Sequence, residues 1–131
     1  MIKYYNKNNI LTDFFRTGKY DARREFYKTN APAMDILVSS NLERLVYMVC
    51  EDSQKVNSYM EQLNQNGDYE ISLDLLEKMQ SLFKAGWLDE QGVLNTIQTC
   101  FEETGYLLDT HTAIGYGVYK EYQKAFRDQT K

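Results

Sequence analysis

Several residue types on which common chemistries depend are scarce in this sequence. Its 131 residues include one histidine, one proline and two cysteines. A structural zinc site needs several His or Cys ligands at short spacing, so no metal site is predicted. A Ser-His-Asp triad would have to use His111, and no Gly-x-Ser-x-Gly turn accompanies it. Cys50 and Cys100 lie far apart in no ligand pattern, which favours ordinary core residues in a reducing compartment.

Long apolar runs and a basic surface are also missing. No segment approaches the roughly 18 apolar residues of a membrane-spanning helix, and the first residues contain no apolar core of a signal peptide. The formal net charge is −4, and Arg23-Arg24 is the only adjacent basic pair. These features argue against a nucleic-acid partner and against an anionic membrane surface. The expected location is therefore the cytoplasm.

The apolar residues that are present, 43% of the chain, suffice for one folded domain. Residues 2–5 predict a short strand that ends in a polar segment. Residues 19–32 have the composition of a loop, and residues 34–38 could form a strand or one helical turn. Helical spacing is found in residues 10–15, 42–49, 56–63, 73–83, 93–101 and 118–126. These patterns predict a helix-rich α/β or α domain with few strands.

Capping signals mark where several of these helices should begin and end. Residues 40–43 form a capping box, and Ser72 and Asp89 are plausible N-caps. Gly18, Gly67 and Gly105 would end three helices. Inward positions are predicted to include Leu73 in the fourth helix, Phe101 in the fifth, and Tyr119 with Tyr122, as core or interface residues, in the last.

Two short segments imitate functional motifs. Gly115-Tyr116-Gly117 lacks a third glycine and lies inside a helical pattern, so we do not expect it to bind phosphate. Phe83-Lys84 could suggest a catalytic lysine, but a solvated lysine at a helix end explains Lys84 better.

Three stretches resemble threonine synthase in order along the chain. They are residues 6–20 (NKNNILTDFFRTGKY), residues 26–29 (FYKT) with 31–45 (APAMDILVSSNLERL), and residues 105–116 (GYLLDTHTAIGY). Residues 85–90 (AGWLDE) also resemble the family, so the likeness spans nearly the whole chain. The block from Met34 to Arg44 is its most specific part.

The resemblance implies both a fold and an activity. The fold is α/β: a helix-rich fragment of a tryptophan-synthase-β-like (fold type II) pyridoxal-phosphate enzyme, with a few short strands. The activity is that of a lyase that eliminates phosphate from O-phosphohomoserine and adds water to give L-threonine. Pyridoxal phosphate serves as its electron sink.

Departures from the family pattern imply that residues 1–131 form a single piece that is inactive alone. The cofactor lysine of the family lies in a Phe-Lys-Asp context in its N-terminal half, and Phe83-Lys84-Ala85 is not that motif. The phosphate-binding loop should precede Met1, and the segment near the pyridine nitrogen should follow Lys131. The resemblance therefore implies that the N-terminal half and the extreme C-terminus are absent and that this chain binds no cofactor by itself. Self-association of such a fragment is expected because apolar surface would be exposed.

Six residues are candidates for a position near cofactor or substrate. Asn6, Asn8 and Asn9 follow the first strand, and ligands of open α/β sheets gather beyond strand carboxyl ends. Asp109, His111 and Thr112 begin the last helix, where backbone amides favour anions; related enzymes bring an acidic group near the cofactor at the position of Asp109. Turns and caps alone could also explain both groups. The same explanation is preferred for Asp35, Ser40 and Asn41.

Two other functions remain open. The chain could be a non-catalytic helical interaction module derived from the enzyme, or part of a paralogous phospho-lyase acting on another substrate. A reading frame that continued upstream into a lysine-bearing half would exclude the first, and assays on O-phosphohomoserine would test the second.

Overall fold

The computed structural model of this protein describes residues 1–126, in which helices predominate over four short strands. The elements in chain order are β1 (Ile2–Tyr5), α1 (Ile10–Thr17), β2 (Lys19–Asp21), a 3-10 turn (Pro32–Met34), α2 (Ser40–Cys50), α3 (Ser53–Asn66), β3 (Asp68–Glu70), α4 (Leu73–Leu82), β4 (Lys84–Trp87), α5 (Glu90–Thr104) and α6 (Thr110–Phe126).

Strands β1 and β4 form a parallel pair that lies between helices. Tyr4 is paired with Gly86, and the two residues point to the same face, where Tyr4 lies against Gly115 and Gly86 against Val118 of α6. The opposite face, which carries Tyr5, packs on the cluster that contains α1. The unit is therefore a three-layer α/β/α arrangement, the architecture expected of parallel strands buried on both faces.

The two faces of this sheet have separate hydrophobic cores. The larger core joins α1, α2, α3 and α4 with the β2–β3 pair, and its buried members are Ile10, Leu11, Phe14, Phe15, Tyr20, Leu42, Val46, Val56, Tyr59, Tyr69, Ile71, Leu75, Leu76 and Met79. The smaller core lies under α5 and α6, and its buried members are Ala31, Leu88, Val93, Cys100, Leu108, Ala113, Ile114 and Val118.

Strand β2 falls inside the segment predicted to be a loop. Tyr20 is its only buried residue, and it is paired with Tyr69 of the antiparallel strand β3. The two rings stack with centroids 5.3 Å apart, and Tyr59 stacks on Tyr69 from α3 at 5.5 Å. Burial raises the pKa of Tyr69, with further contributions from its tyrosine neighbours and Glu43. A three-residue strand whose pairing partner lies so far along the chain has no recognisable pattern in the local sequence.

Most of the predicted helix ends are confirmed, since they depend on local chemistry. Gly18, Gly67 and Gly105 adopt left-handed conformations after α1, α3 and α5. Asp89 caps α5 by accepting a 2.7 Å hydrogen bond from the amide of Gly92. Ser72 occupies the N-cap position of α4, although its side chain makes no capping hydrogen bond.

Other predictions about the helices are wrong. The capping box at residues 40–43 does not form, because α2 begins at Ser40 itself and Ser39 takes the N-cap position. Leu73 and Phe101 are exposed, because each helix presents a neighbouring apolar position to its core instead. Tyr119, predicted to be a core or interface residue, is also exposed and so does not belong to the core. Residues 34–38 form neither a strand nor a helix beyond the 3-10 turn that ends at Met34.

Helices α5 and α6 approach closely at a glycine. A Cβ atom on Gly117 would lie 2.4 Å from Cδ1 of Leu88 and 2.8 Å from Oγ1 of Thr96. The Gly115-Tyr116-Gly117 segment therefore serves helix packing, consistent with the prediction that it lies within a helix. Over residues 1–126, no helix has both the length and the apolar character needed to cross a membrane.

Candidate functional site

The asparagines that follow β1 belong to a buried polar network. Asn6 and Asn8 are each only 2% exposed. Their side-chain amides donate to Oδ1 of Asp35 at 2.7 and 3.0 Å, and the amide of Asn6 also donates to Oγ1 of Thr29 at 2.9 Å. Asn8 is further fixed by its own backbone, whose N–H donates to Oδ1 of Asn6 at 3.0 Å.

The same network holds the irregular segment between β2 and α2. The amide of Asn8 donates to the carbonyl of Tyr27 at 2.8 Å, and the N–H of Tyr27 donates back to the Asn8 side chain at 2.9 Å. Thr29 donates to Asp35 through its backbone N–H and its hydroxyl, at 2.9 and 2.8 Å. Asn6 and Asn8 thus fix the conformation of residues 27–35 against the end of β1.

Asp35 is the acceptor at the centre of this network. Burial raises the pKa of its carboxyl, but hydrogen bonds from Thr29, Asn6 and Asn8 outweigh that effect and hold the pKa below its usual value of 3.8. The prediction that Asp35 is structural agrees with these contacts. No local sequence signal links it to Asn6, since the two lie 29 residues apart.

Asn9 faces a different set of groups from its two neighbours. Nη1 of Arg24 donates to Oδ1 of Asn9 at 3.1 Å and to Oδ2 of Asp13 at 2.9 Å. A cavity of about 290 Å³ lies beside this cluster, at the carboxyl ends of β1 and β4. It is lined by Lys7, Asn9, Arg24, Glu25, Tyr27 and Trp87. Larger cavities between α5 and α6 and between α2 and α3 contain none of the predicted site residues.

The second predicted group caps the last helix. Oδ1 of Asp109 accepts a 3.0 Å hydrogen bond from the backbone N–H of Thr112, and Oδ2 accepts from the Thr112 hydroxyl. These hydrogen bonds hold the pKa of Asp109 below its usual value. Nε2 of His111 accepts a 3.3 Å hydrogen bond from the backbone N–H of Ala33, in the 3-10 turn.

Both predicted groups therefore contact the same short segment. Asn6 donates to the carbonyl of Ala31 at 3.4 Å, and His111 contacts the amide of Ala33, two residues further along. The segment after β1 and the start of α6 therefore both contact residues 31–33. Asp109 and Thr112 are exposed there, whereas Asn6 and Asn8 are enclosed.

The lysines of residues 1–126 differ in their surroundings from a lysine that holds pyridoxal phosphate covalently. None of them is buried, and a Schiff-base lysine needs a desolvated or otherwise activated amine. Lys84 is exposed, as predicted; it is the first residue of β4, directly after the C-cap of α4, and its Nζ donates to the carbonyl of Gln80 in the last turn of that helix at 3.2 Å. Within the same residues, no cluster of His, Cys, Asp and Glu could hold a metal ion.

Known proteins with sequences similar to this chain include threonine synthases and threonine synthase-like proteins. No model of a protein family matches the chain. Human threonine synthase-like 1 is 40% identical over 111 residues, which are 83% of this chain and 15% of that protein. Threonine synthase from Methylobacillus glycogenes is 32% identical over 125 residues, 92% of this chain and 26% of that enzyme. The chain therefore spans about a quarter or less of these relatives.

Solved structures give the same result for the fold. The crystal structure of threonine synthase from yeast superposes with a TM-score of 0.88 at 27% identity. The pyridoxal-phosphate-bound threonine synthase from Brucella melitensis superposes with a TM-score of 0.89 at 37% identity. Each match covers 92% of this chain and 26% of the solved chain.

The fold is that of a helix-rich segment of a fold type II pyridoxal-phosphate enzyme. Within that class, the chain is homologous to the C-terminal part of threonine synthases.

Proposed function

We propose that this chain is the C-terminal segment of a longer threonine synthase located in the cytoplasm. The longer enzyme converts O-phospho-L-homoserine and water to L-threonine and phosphate, for threonine biosynthesis. The observation that carries the proposal is the match of 92% of the chain, at TM-scores of 0.88 and 0.89, to about a quarter of two threonine synthases. The N-terminal half with the cofactor lysine and the extreme C-terminus then lie outside residues 1–131.

Pyridoxal phosphate, when bound to the longer enzyme, supplies the electron sink for the elimination of phosphate. This chain contributes the carboxyl end of β1 and the start of α6. Asn6 and Asn8 hold residues 27–35 in place, and Asp109 fixes the first turn of α6. Asn9, His111 and Thr112 complete the set of residues that we place near cofactor or substrate.

The cavity beside Asn9 supports a ligand site at the carboxyl ends of β1 and β4, where ligands of α/β sheets bind. Lys7 and Arg24 line it together with Glu25, and Arg24 is paired with Asp13. Nζ of Lys7 lies 3.9 Å from the centroid of the Tyr27 ring, so its ammonium is held over an aromatic face.

An activity assay tests the proposal. Phosphate release and L-threonine formation from O-phosphohomoserine are measured for the 131-residue chain and for the protein encoded by its complete reading frame. Activity is expected from the longer protein and not from the chain. A longer protein without a lysine-bearing half, or without any lyase activity, would favour the non-catalytic interaction module instead.

Asp109 offers a test of the site within that longer enzyme. Asp109→Asn keeps the shape of the cap, so turnover is expected to fall more than thermal stability. The matched control is Asp89→Asn, which alters an equivalent cap at α5. Unchanged turnover in Asp109→Asn, or equal losses in both variants, would remove Asp109 from the site.

A second candidate is a paralogous phospho-lyase that acts on another substrate. The observation in its favour is that relatives 40% identical to this chain bear the name threonine synthase-like 1, not threonine synthase. Assays of the longer protein on O-phosphohomoserine and on other phosphorylated amino alcohols separate the two. Faster phosphate release from a different phosphate ester would favour the second candidate.

A further inference from the structure

One titratable side chain joins the start of α6 to the 3-10 turn. Nε2 of His111 accepts a 3.3 Å hydrogen bond from the backbone N–H of Ala33, and Nδ1 lies 3.7 Å from Oδ1 of Asp109. His111 is the single histidine in the sequence. Its side chain is 40% exposed, so solvent can deliver a proton to the ring.

These two contacts determine which ring nitrogen carries the proton of the neutral imidazole. Nε2 can accept from Ala33 only without a hydrogen of its own, so the hydrogen lies on Nδ1, on the side of the Asp109 carboxylate. That carboxylate is itself held by the backbone N–H and the hydroxyl of Thr112. The neutral ring therefore fits between an amide on one side and a carboxylate on the other.

Protonation changes Nε2 of His111 from an acceptor to a donor. Both ring nitrogens of an imidazolium are donors, so Nε2–H would face the N–H of Ala33 and their hydrogen bond would be lost. Within residues 1–126, the ring forms an ion pair with Asp109 and with no other carboxylate. The neighbouring segment and α5 contribute Asp35 and Glu90, which bind the amides of residues 29 and 30. These negative charges favour the protonated ring.

The loss of this hydrogen bond would act on the exposed middle of the 3-10 turn. The amides of Met34 and Asp35 bind carbonyls within the turn, at 3.0 and 3.1 Å, and do not involve α6. Ala31, before the turn, is fully buried in the smaller core. Ala33 is exposed, and its amide is held by His111. Protonation would therefore loosen the turn from α6 while its ends stay in place.

We propose that His111 is a positioning residue, which holds the 3-10 turn against the start of α6 when neutral and releases it when protonated. Asp109, His111 and Ala33 together form what we call the latch: the carboxylate orients the ring, and the ring holds the amide. In the longer enzyme, the latch would fix the segment packed on Asn6 at neutral pH and loosen it in mild acid. That consequence for the reaction rests on the proposed function, whereas the latch itself does not.

The experiment follows the latch in the 131-residue chain by NMR with ¹⁵N labelling. At about pH 8 the ring of His111 is expected to carry its proton on Nδ1 and none on Nε2. Between about pH 8 and pH 5, where histidine side chains change charge, the Ala33 amide resonance should move in one transition that coincides with that of the ring. Hydrogen exchange at Ala33, corrected for its intrinsic pH dependence, should become roughly three- to tenfold faster. The amide of Asn30, which Glu90 holds at 3.0 Å, is the internal control and should not follow the transition.

Variants separate the latch from ordinary packing. His111→Gln keeps a side-chain acceptor that cannot ionise, so the transition at Ala33 should disappear. His111→Ala removes the acceptor, so Ala33 should exchange at about pH 8 as fast as it does in the protonated wild type. The matched control is Asp52→Asn, which changes the capping carboxylate of α3 and should keep the wild-type transition. Circular dichroism confirms that each variant is folded before it is compared.

The longer enzyme tests the consequence for the reaction. The ratio of turnover at about pH 8 to turnover at about pH 6 is measured for the wild type and for His111→Gln, whatever their absolute rates. Ionisations elsewhere affect both proteins equally, so the ratio isolates the ring. We expect it to be at least threefold larger in the wild type.

Three results would overturn the inference. The first is a proton on Nε2 of the wild-type ring at about pH 8, which needs no variant to detect. The second is a transition at Ala33 that persists in His111→Gln. The third is an equal turnover ratio for the two forms of the longer enzyme, which would remove His111 as a positioning residue. A latch that behaves as expected in the chain, while the longer protein shows no activity on O-phosphohomoserine, would reject the proposed function and leave the latch intact.

Discussion

Asp35 shows how a single residue can organise a region that has no regular structure. Its carboxylate accepts hydrogen bonds from Asn6, Asn8 and Thr29, which come from two different segments of the chain. The position of the asparagines after a strand suggested a ligand site. In the structure, the side chains of Asn6 and Asn8 are instead enclosed in a polar network. Hydrogen-bonded, buried polar groups of this kind rigidify and specify a fold.

Removing this carboxylate should destabilise the chain. In Asp35→Ala the side-chain amides of Asn6 and Asn8 lose a charged acceptor while they remain buried. Breaking hydrogen bonds to a charged group in such a network costs about 1–3 kcal/mol. Urea unfolding measures the loss, and Glu77→Ala, at an exposed carboxylate on α4, is the control. Equal stability of the two variants would show that the network contributes little.

The stability contributed by Asp35 should depend on pH. Its folded-state pKa is lowered, so the contribution is complete above the unfolded-state value of 3.8 and is lost as pH falls through the folded-state pKa. Asp35→Asn cannot ionise. The difference in free energy of unfolding between wild type and Asp35→Asn should therefore be constant near neutral pH and shrink below about pH 4. A difference that stays constant into acid would contradict this assignment.

At the scale of elements, local chemistry determines what sequence can predict. The ends of α1, α3 and α5 were predicted because glycine adopts the left-handed conformation at each of them. The exposure of Leu73 and Phe101 was not predicted, because the spacing of apolar residues near a helix end does not determine which of them packs into the core. Strand β2 was missed because Tyr69, its partner, lies 49 positions from Tyr20.

The contact of α5 with α6 can be tested at its closest point. Alanine is favoured over glycine in a helix by about 1 kcal/mol, but a methyl group on Gly117 would meet Leu88 and Thr96 at less than normal contact distance. Overpacking of this kind costs about 1–3 kcal/mol. Gly117→Ala should therefore be less stable than wild type in thermal unfolding.

Gly92→Ala is the control for this substitution, since its nearest neighbour would lie 3.2 Å away. Gly92→Ala should lose less stability in thermal unfolding than Gly117→Ala does. Stabilisation by Gly117→Ala would mean that α6 can move away from α5 at little cost.

For the whole molecule, the sequence indicated the family and the helix-rich α/β class, and the structure supplied the arrangement. The approach of Asn6 and His111 to one segment depends on the 3-10 turn at Pro32–Met34, which no periodic pattern reveals. The division of the core into two clusters likewise follows from β1 pairing with β4 across more than 80 residues of chain.

The isolated chain should form no specific covalent adduct with pyridoxal phosphate. An amine attacks the aldehyde efficiently when it is desolvated or next to another cation, and each lysine of residues 1–126 is at least partly exposed to solvent. After incubation with the cofactor and borohydride reduction, peptide mass spectrometry should find only low, scattered labelling. Brucella melitensis threonine synthase, treated identically, is the positive control and should carry one label at one lysine. Stoichiometric labelling of a single lysine, Lys84 included, would show that this chain holds the cofactor by itself and would reject its proposed dependence on a missing half.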